Sequence, residues 1–434
     1  MKVNFIILQL FFTIGIAKAQ DLLTVKDAVE IALANNYDIK LSRNDLEIAQ
    51  ENITYGNAGF LPNLTGNLTQ NNNLQNINQT QSSGEVKSLK NAKNNSLNYG
   101  VSLGWTIFDG MGMFTRYDIL KENQKKGDIS LKRTILLRVS DVITTYYTIV
   151  EQKKFLEAID ENILITKERV RTAENRFTIG KASRLEVLNA QVNLNEDESN
   201  RLRQINSIKN LKIALNSLLV RDLMTEFDVE DEVIFDSDLI YEDLVNKAKN
   251  QNPDLQLIAI NRTLAELELK RIKADRYPTV RLNAGYNFSE SESSLGFTTN
   301  SNARGLNYGV TVALNIFDGF NQRRNEQIAK IQIQNADLQI NQQDLVITTA
   351  MATAFQTYET NLALAKIEES NEQIAKRNLE ITLDKFKIGT ISAIEFRDAQ
   401  ENFINASARL NSAKLQTKLS EIQLKEIVGN IDFN

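Results

Sequence analysis

The sequence contains no cysteine and no histidine, and only three of its 434 residues are proline. Without cysteine, the chain can carry neither a disulfide framework nor a lipid-modified cysteine at its N-terminus. The absence of both residue types removes the commonest zinc ligands, the thiol nucleophile and the usual general base at neutral pH. Carboxylate, serine or lysine chemistry remains possible, but the sequence has no clustered motif for it. We therefore expect no enzymatic activity, no catalytic residues, no metal site and no cofactor.

An excess of basic residues is also missing. The chain has 50 lysines and arginines against 55 aspartates and glutamates, which gives a net charge of −5. Binding to the phosphate backbone of a nucleic acid requires a basic surface, so we expect no nucleic-acid partner. The low proline content is typical instead of a helix-rich fold.

The N-terminus carries the features of an export signal. Lys2 precedes an apolar run from Phe5 to Ile16, and Ala17-Lys18-Ala19 provides the small residues that a signal peptidase accepts. This pattern predicts a Sec-type signal peptide at residues 1–19 and a mature chain that begins at Gln20. An uncleaved anchor is the alternative, but the run is shorter than the roughly 20 residues that a spanning helix needs.

The chain repeats itself at a nearly constant spacing. Early residues of the first copy recur 216 positions later: Asp27, Ala32, Asn36, Asp38, Ala58 and Pro62 match Asp243, Ala248, Asn252, Asp254, Ala274 and Pro278. From Leu97 onward the spacing is 209 positions: Tyr99, Phe108, Asp109, Gly110, Phe177 and Gly180 match Tyr308, Phe317, Asp318, Gly319, Phe386 and Gly389. The spacing changes only in the polar tract that begins at Asn71-Asn72-Asn73, where we expect a loop. We predict two structural repeats, at residues 20–220 and 241–434, joined by an equatorial linker at 221–240.

Four short runs interrupt the helical pattern and predict β-strands at about residues 60–70, 97–108, 279–288 and 306–317. In the second run, Tyr99, Val101, Leu103, Trp105 and Ile107 alternate with Asn98, Gly100, Ser102, Gly104 and Thr106. One face of each strand is therefore apolar, and the other is small and polar. Runs of about ten residues with this alternation are typical of tilted transmembrane β-strands.

A soluble sheet packed on a helical core is the alternative for these runs. It is disfavoured because the polar faces carry small uncharged residues rather than lysine and glutamate, and because Tyr99 and Trp105 lie near the ends of the apolar face, as in an aromatic girdle. A sheet within lipid must also close. Since the smallest common barrels have eight strands, a chain with four strands must share its barrel with copies of itself.

The rest of the sequence predicts long helices. The stretch from Met111 to Phe177 has helical apolar spacing without proline and would form one helix about 100 Å long at 1.5 Å per residue. Its copy runs from Phe320 to Phe386. The return segments are split, with predicted helices at Asp38–Ala58, Leu185–Leu219, Asp254–Ala274 and Ile394–Ile427. An extended coiled-coil stalk would have the same helices, but a polar barrel interior favours a hollow continuation.

These features together resemble a known family. The doubled order of helix, strand, strand and helix, the Phe-Asp-Gly motifs at Phe108–Gly110 and Phe317–Gly319, and the turns at Arg176–Gly180 and Lys385–Gly389 are similar to those of the TolC-type outer-membrane efflux proteins. The resemblance covers essentially the whole mature chain.

The resemblance implies a mainly α fold with a transmembrane β-barrel. Three copies would form a 12-stranded barrel, four strands per chain, that continues into a long periplasmic α-helical barrel. Such a homotrimer would be the passive outer-membrane exit duct of a tripartite efflux or type I secretion system for small molecules or proteins. Its expected partners are a periplasmic adaptor (membrane fusion) protein, an inner-membrane transporter and outer-membrane lipid. The alternative function is a trimeric coiled-coil structural or adhesin stalk anchored by a β-barrel.

The turns at Gly180 and Gly389, named here the first and second tip turns, contain the candidate gate residues. Ser183 with Glu186, and Ser392 with Glu395, have the spacing of capping boxes. The N-terminus of a helix favours acidic side chains within its first turn. Asp398 lies beyond that turn and therefore has no capping role.

The resemblance places Asp398 in an acidic ring at the periplasmic entrance, while its repeat partner is Asn189. A solvated surface position is the alternative for Asp398. Phe386 stands where the family usually has a gate tyrosine, and Ile391 where it has an arginine. The hydrogen-bonded and ionic lock of the family therefore cannot form in the same way, and we expect closure by apolar packing of the tip helices.

Overall fold

A computed structural model describes residues 22–230, 232–236, 238–294 and 298–430. The predicted signal peptide lies outside the described residues. The chain divides into two compact units. The helical unit contains residues up to Leu41, Arg133–Asn252 and the chain from Val346 onward, and the sheet unit contains Ser42–Lys132 and Pro253–Leu345.

The elements follow one another in two similar series. In chain order they are β1 (Leu22–Leu23), α1 (Val25–Asn35), α2 (Tyr37–Glu51), α3 (Tyr55–Ala58), β2 (Asn63–Thr80), β3 (Val86–Asp109), α4 (Gly112–Thr178), α5 (Arg184–Leu219), β4 (Asp228–Val229), α6 (Tyr241–Gln251), α7 (Pro253–Ala274), β5 (Thr279–Ser293), β6 (Asn300–Ala313), α8 (Asn321–Ile388) and α9 (Ala393–Val428).

The sheet unit is built on one antiparallel sheet with the strand order β2-β3-β5-β6. Its strands are longer than predicted, because β2 has 18 residues and β3 has 24. The polar tract at Asn71 was expected to be a loop, and this expectation is wrong: Asn71 pairs with Ser96 inside the β2–β3 ladder. Backbone pairing does not depend on an apolar face, so the ladder continues where the alternation of side chains ends.

The fourth strand also differs from its prediction. β6 begins at Asn300 and ends at Ala313, before the predicted limit at residue 317. Asp318 lies in the segment that leads into α8, and its Oδ2 accepts a hydrogen bond from the Gln322 backbone N–H at 2.6 Å. Asp109 does the same in the first repeat, where its Oδ1 accepts from the Met113 N–H at 3.0 Å. The aspartate of each Phe-Asp-Gly motif thus satisfies an unpaired amide at the start of a long helix.

The two faces of the sheet have different chemistry, as the alternation predicts. On the polar face, side chains of neighbouring strands bond to each other: Asn283 Nδ2 donates to Thr311 Oγ1 at 3.0 Å, Asn287 Nδ2 to Asn307 Oδ1 at 3.0 Å, and Ser289 Oγ to Asn98 Oδ1 at 2.7 Å. On the opposite face, the rings of Tyr99 and Phe288 stack with centroids 4.8 Å apart.

The long helices match their predicted lengths. α4 has 67 residues and α8 has 68, and each contributes to both units. The first return segment was predicted as one helix from Asp38 to Ala58, but α2 ends at Glu51 and α3 begins at Tyr55. Thr54 causes this break, because its Oγ1 accepts from the Asn57 N–H at 3.1 Å and starts a new helix. None of the described helices is both long and apolar enough to cross a membrane.

The core of the helical unit surrounds Tyr146 of α4. Its side chain is 1% exposed, and Val142, Ile149, Leu215 and Phe227 belong to the same buried cluster. The Tyr146 hydroxyl donates to the Leu23 carbonyl at 2.8 Å and accepts from the Glu230 N–H at 3.0 Å. Burial raises the pKa of Tyr146 to about 12, against the opposing effect of the Glu230 backbone hydrogen bond. The hydroxyl thus ties α4 to β1 and to the segment after β4.

The raised pKa predicts an alkaline loss of stability. Above pH 10 the unfolded chain releases the Tyr146 proton, whereas the folded chain retains it, so the contribution is complete below pH 10 and declines as the pH rises to about 12. Tyr146→Phe should remove this part of the decline. At pH 7 it should lower the free energy of unfolding by about 1–3 kcal/mol, because the Leu23 carbonyl and the Glu230 N–H lose their partner.

Thermal unfolding followed by circular dichroism at 222 nm, between pH 8 and pH 12, measures both effects. Tyr37→Phe is the matched control, since Tyr37 is 66% exposed. An alkaline decline that is equal in Tyr146→Phe and the parent would contradict the assignment.

Candidate functional site: the two tip turns

The first tip turn connects α4, which ends at Thr178, to α5, which begins at Arg184. Gly180 has a φ of +75°, a left-handed conformation that side chains with a Cβ disfavour. Ser183 then caps α5, since its Oγ accepts from the Glu186 N–H at 3.3 Å. Only half of the predicted capping box forms here, because the Glu186 carboxylate faces Arg176 at 3.9 Å instead of its N-cap amide.

The second tip turn connects α8, which ends at Ile388, to α9, which begins at Ala393. Gly389 has a φ of +85°. Here the predicted capping box is complete: Ser392 Oγ accepts from the Glu395 N–H at 3.2 Å, and Glu395 Oε2 accepts from the Ser392 N–H at 3.1 Å. Glu395 therefore has a structural role at the start of α9.

Phe386 belongs to a buried apolar cluster behind the second tip turn. Its ring is 1% exposed and stacks on Phe396 with centroids 5.0 Å apart. Phe403 is buried in the same cluster, and Ile391 packs against it. Phe386 and Ile391 thus both contribute to apolar packing behind the second tip turn.

Arg176 connects the two tip turns and was missed by the sequence analysis. Its guanidinium carbon lies 4.8 Å from the centroid of the Phe386 ring, and its Nη2 donates to the Phe386 carbonyl. Its Nη1 lies 3.9 Å from Glu186. Gly389 leaves space for it, because a Cβ there would lie 3.3 Å from Arg176 Nη2. The sequence gives one indication that Arg176 has a special role: its repeat partner is Lys385, which cannot form the same planar fork.

Asp398 and Asn189 lie on exposed surfaces of α9 and α5. Within the described part of the chain, no ion pair or hydrogen bond of the Asp398 side chain is present. The structure therefore brings Phe386, Arg176 and Glu186 together, and Ser392 with Glu395, but it does not join Asp398 to either group.

This geometry holds two helical hairpins together at their turns and leaves a carboxylate free on α9. The tip turns contain the Arg176 guanidinium, the Phe386 ring and capped helix ends. These groups are suited to holding helices in contact with one another. The chemistry to be expected there is electrostatic and conformational.

Comparison with known proteins identifies the family. The sequence profile of the family described as outer membrane efflux protein matches residues 28–220 and 244–430. Among curated proteins, the chain is 19% identical to the outer membrane protein TolC of Vibrio cholerae over 389 residues, covering 89% of this chain and 86% of that protein. It is 20% identical over 425 residues to the probable efflux pump outer membrane protein TtgC of Pseudomonas putida, covering 93% and 82%.

Solved structures share the fold. The CmeC outer membrane channel of Campylobacter jejuni superposes with a TM-score of 0.77 at 20% identity, over 93% of this chain and 85% of that one. The outer membrane protein VceC of Vibrio cholerae gives a TM-score of 0.73 at 15% identity, over 94% and 96%. The chain therefore belongs to the outer membrane efflux protein family, and it is a channel protein of the outer membrane rather than an enzyme.

Proposed function

We propose that three copies of this chain form the exit duct of a tripartite efflux or type I secretion system, through which small molecules or proteins leave the cell. The four strands of each copy contribute to one 12-stranded barrel. The long helices continue the duct into the periplasm, where a periplasmic adaptor protein and an inner-membrane transporter supply the cargo. Residues 1–19 are the signal peptide, 20–220 and 241–434 the two repeats, and 221–240 the equatorial linker between them.

The sheet supports a shared barrel because it is incomplete by itself. β2 and β6 are its outer strands, and each pairs on one side only among the described residues. Unpaired backbone groups are not tolerated in lipid. On β6, Tyr308 is 81% exposed, and Leu306, Val310 and Val312 are also exposed. Pairing β6 of one copy with β2 of the next satisfies both edges, and the apolar face then meets lipid.

The helices support an assembly as well. In the helical unit, α8 leaves isoleucines exposed at intervals of seven residues, which lie on one stripe of a helix. These residues are Ile367, Ile374, Ile381 and Ile388. A stripe of this kind is typical of a helix whose packing partner comes from another chain. A second copy of the chain is the partner in our proposal.

The relatives support the transport role and its partners. One of them is named as a probable efflux pump outer membrane protein. The observation that most supports a duct is the polar face of the sheet, on which small side chains bond to one another. In a closed barrel this face would line the interior. A stalk, in contrast, would have a solid interior.

We propose further that the tip turns form the periplasmic gate. In this arrangement Asp398 lines the narrow end, with Glu395, Phe386, Glu186 and Asn189 around it and with Gly180 and Gly389 in the turns. Three copies would place three Asp398 carboxylates around one axis. Charges of one sign in a confined aqueous pore concentrate the opposite ions.

The first prediction concerns assembly. Native mass spectrometry of detergent extracts should give a trimer of the mature chain, and the purified protein should conduct ions in planar bilayers. A dimer, or a folded monomer that stays soluble after removal of the signal peptide, would contradict the barrel. A trimer that never conducts would favour the alternative of a stalk.

The second prediction concerns Asp398. Asp398→Asn should reduce the preference for cations and the block by trivalent cations, without changing trimer yield, because the ring loses its three charges. Glu395→Gln is the control. Glutamine can still accept the hydrogen bond from the Ser392 N–H, so Glu395→Gln loses only the charge near the helix N-terminus. It should lower the free energy of unfolding by about 0.3–1 kcal/mol and change conductance little. If the Asp398→Asn channel selects and blocks like the parent, Asp398 is only a surface residue.

The third prediction concerns Arg176. Arg176→Gln removes the guanidinium that joins the Phe386 carbonyl to Glu186, and a hydrogen bond to a charged group contributes about 1.5–3 kcal/mol. Amide hydrogen exchange in residues 385–392 should therefore accelerate about 10- to 100-fold. Arg171→Gln is the control, since Arg171 is an exposed residue of the same helix, and among the described residues its one ion pair is with Glu168 at 3.5 Å. Equal exchange in the two variants would show that Arg176 does not hold the turns together.

A further inference from the structure

A layer of polar side chains crosses the core of the helical unit between α4, α5 and α9. Its centre is Asp197 of α5, a carboxylate that is 6% exposed. Asp197 Oδ2 accepts from Thr166 Oγ1 at 2.7 Å and from Asn162 Nδ2 at 3.1 Å, both of α4. A buried charge of this kind is costly unless it is paired and hydrogen-bonded.

Two residues of α9 complete the layer. Gln400 is 1% exposed, and its Nε2 donates to Asn162 Oδ1 at 3.2 Å and to Thr166 Oγ1 at 3.1 Å. Arg397 supplies the positive charge, because its Nη1 donates to Asp197 Oδ1 at 3.5 Å. α9 is therefore bound to both α4 and α5 through this layer.

Arg397 also contacts two other carboxylates. Its Nε lies 2.8 Å from Glu401 Oε1 on its own helix, and its Nη2 lies 3.6 Å from Glu196 Oε2 on α5. Burial acts to lower the pKa of Arg397, but the hydrogen bond with Glu401 and the charges of Asp197 and Glu196 raise it overall. The guanidinium is thus held on the side of α9 that faces α5.

The layer is only partly satisfied. Gln400 Oε1 and Arg169 Nη1 are buried without a hydrogen-bond partner among the described residues. Burial lowers the pKa of Arg169, the charge of Arg397 lowers it further, and Asp197 and Glu186 act in the opposite direction. A buried charged layer with unpaired groups is a weak source of net stability.

We infer that Arg397 is a positioning residue for the gate: by anchoring α9 to Asp197 and Glu196 of α5, it sets the rotation of α9 about its axis and so determines where Asp398 points. Successive residues of a helix differ by about 100° in direction. With Arg397 held toward α5, the next side chain is turned away from that contact, and Asp398 is exposed as observed. The inference rests on the proposed gate, which supplies the role of Asp398.

The apolar cluster around Phe386 is the competing explanation. Phe396 and Phe403 also lie on α9 and pack in that cluster. If they alone fix the setting of α9, then Arg397 is dispensable, and its ion pairs contribute no more than those of an exposed arginine on the same helix.

Arg409 provides the matched control. It lies on α9, and its Nε pairs with Glu368 Oε2 of α8 at 3.0 Å, but its side chain is 54% exposed, compared with 20% for Arg397. Arg397→Gln and Arg409→Gln therefore each remove from α9 an arginine that pairs with another helix: Arg397 with Asp197 and Glu196, and Arg409 with Glu368. The two variants differ in whether the lost ion pairs include the buried layer.

The test combines hydrogen exchange with channel recording on the purified full-length protein. In Arg397→Gln, amide exchange in residues 394–404 should accelerate about tenfold or more, while Arg409→Gln should match the parent. Block by a trivalent cation should weaken at least severalfold in Arg397→Gln. The direction is diagnostic, because loss of a positive charge near a pore would by itself strengthen cation binding, whereas displacement of Asp398 weakens it. Arg397→Lys should restore part of the block.

Two results would overturn the inference. The first is exchange in Arg397→Gln equal to that in Arg409→Gln, and the second is unchanged or stronger block. If Arg397→Gln fails to assemble, Asp197→Asn replaces it. That substitution keeps the size of the side chain and one oxygen that can accept from Thr166 and Asn162, but it removes the charge and the acceptor that face Arg397. Unchanged exchange in residues 394–404 is then the contradicting outcome. The proposed gate is tested separately, because it is wrong if a trivalent cation blocks Asp398→Asn as strongly as the parent. Hydrogen exchange in Arg397→Gln still tests in that case whether Arg397 anchors α9.

Discussion

A β-sheet in hydrocarbon must pair every backbone N–H and C=O, because no water is present to replace a missing hydrogen bond. The sheet of this chain leaves β2 and β6 paired on one side only among the described residues. It also exposes an apolar face that includes Tyr308 and Val310. In the helical unit, the exposed isoleucine stripe on α8 similarly requires a packing partner from outside the chain. The proposed assembly is supported by these bonds and surfaces, which a single copy leaves incomplete.

The two repeats share their framework but differ at the tip turns. Asp109 and Asp318 make the same hydrogen bond at the starts of α4 and α8. At the tips, Arg176 corresponds to Lys385, and only the second turn has a complete capping box. The hydrogen bond of each aspartate lies within its own repeat, whereas at the tips Arg176 of the first repeat contacts Phe386 of the second. Because the two tip turns differ in sequence, Arg176 of the first repeat can bind Phe386 of the second.

Much of the fold could be predicted from periodicity, because helices and strands are local. The helix predicted from Met111 to Phe177 is observed from Gly112 to Thr178. The strand extensions could not be predicted, since ladder pairing at Asn71 leaves no side-chain pattern. Arg176 and the layer around Asp197 were also missed, because each depends on contacts between residues distant in sequence. Asp398 was predicted to be a gate residue only through the family resemblance, and no local pattern distinguishes it from a solvated aspartate.

The Phe-Asp-Gly motifs have a consequence for how the gene can change. Each aspartate fixes the first turn of a helix that continues without interruption to a tip turn, so inserting one residue after Gly110 would rotate Arg176 by about 100° and advance it by about 1.5 Å. A β-hairpin has no such constraint, because extra residue pairs only lengthen its ladder. The spacing between the two repeats changes once, by seven residues, and the change lies between Pro62 and Leu97, within the β2–β3 hairpin. The two repeats thus differ in length within a hairpin, and they have equal numbers of residues from Gly110 to Gly180 and from Gly319 to Gly389, where each residue of a continuous helix sets the direction of the next.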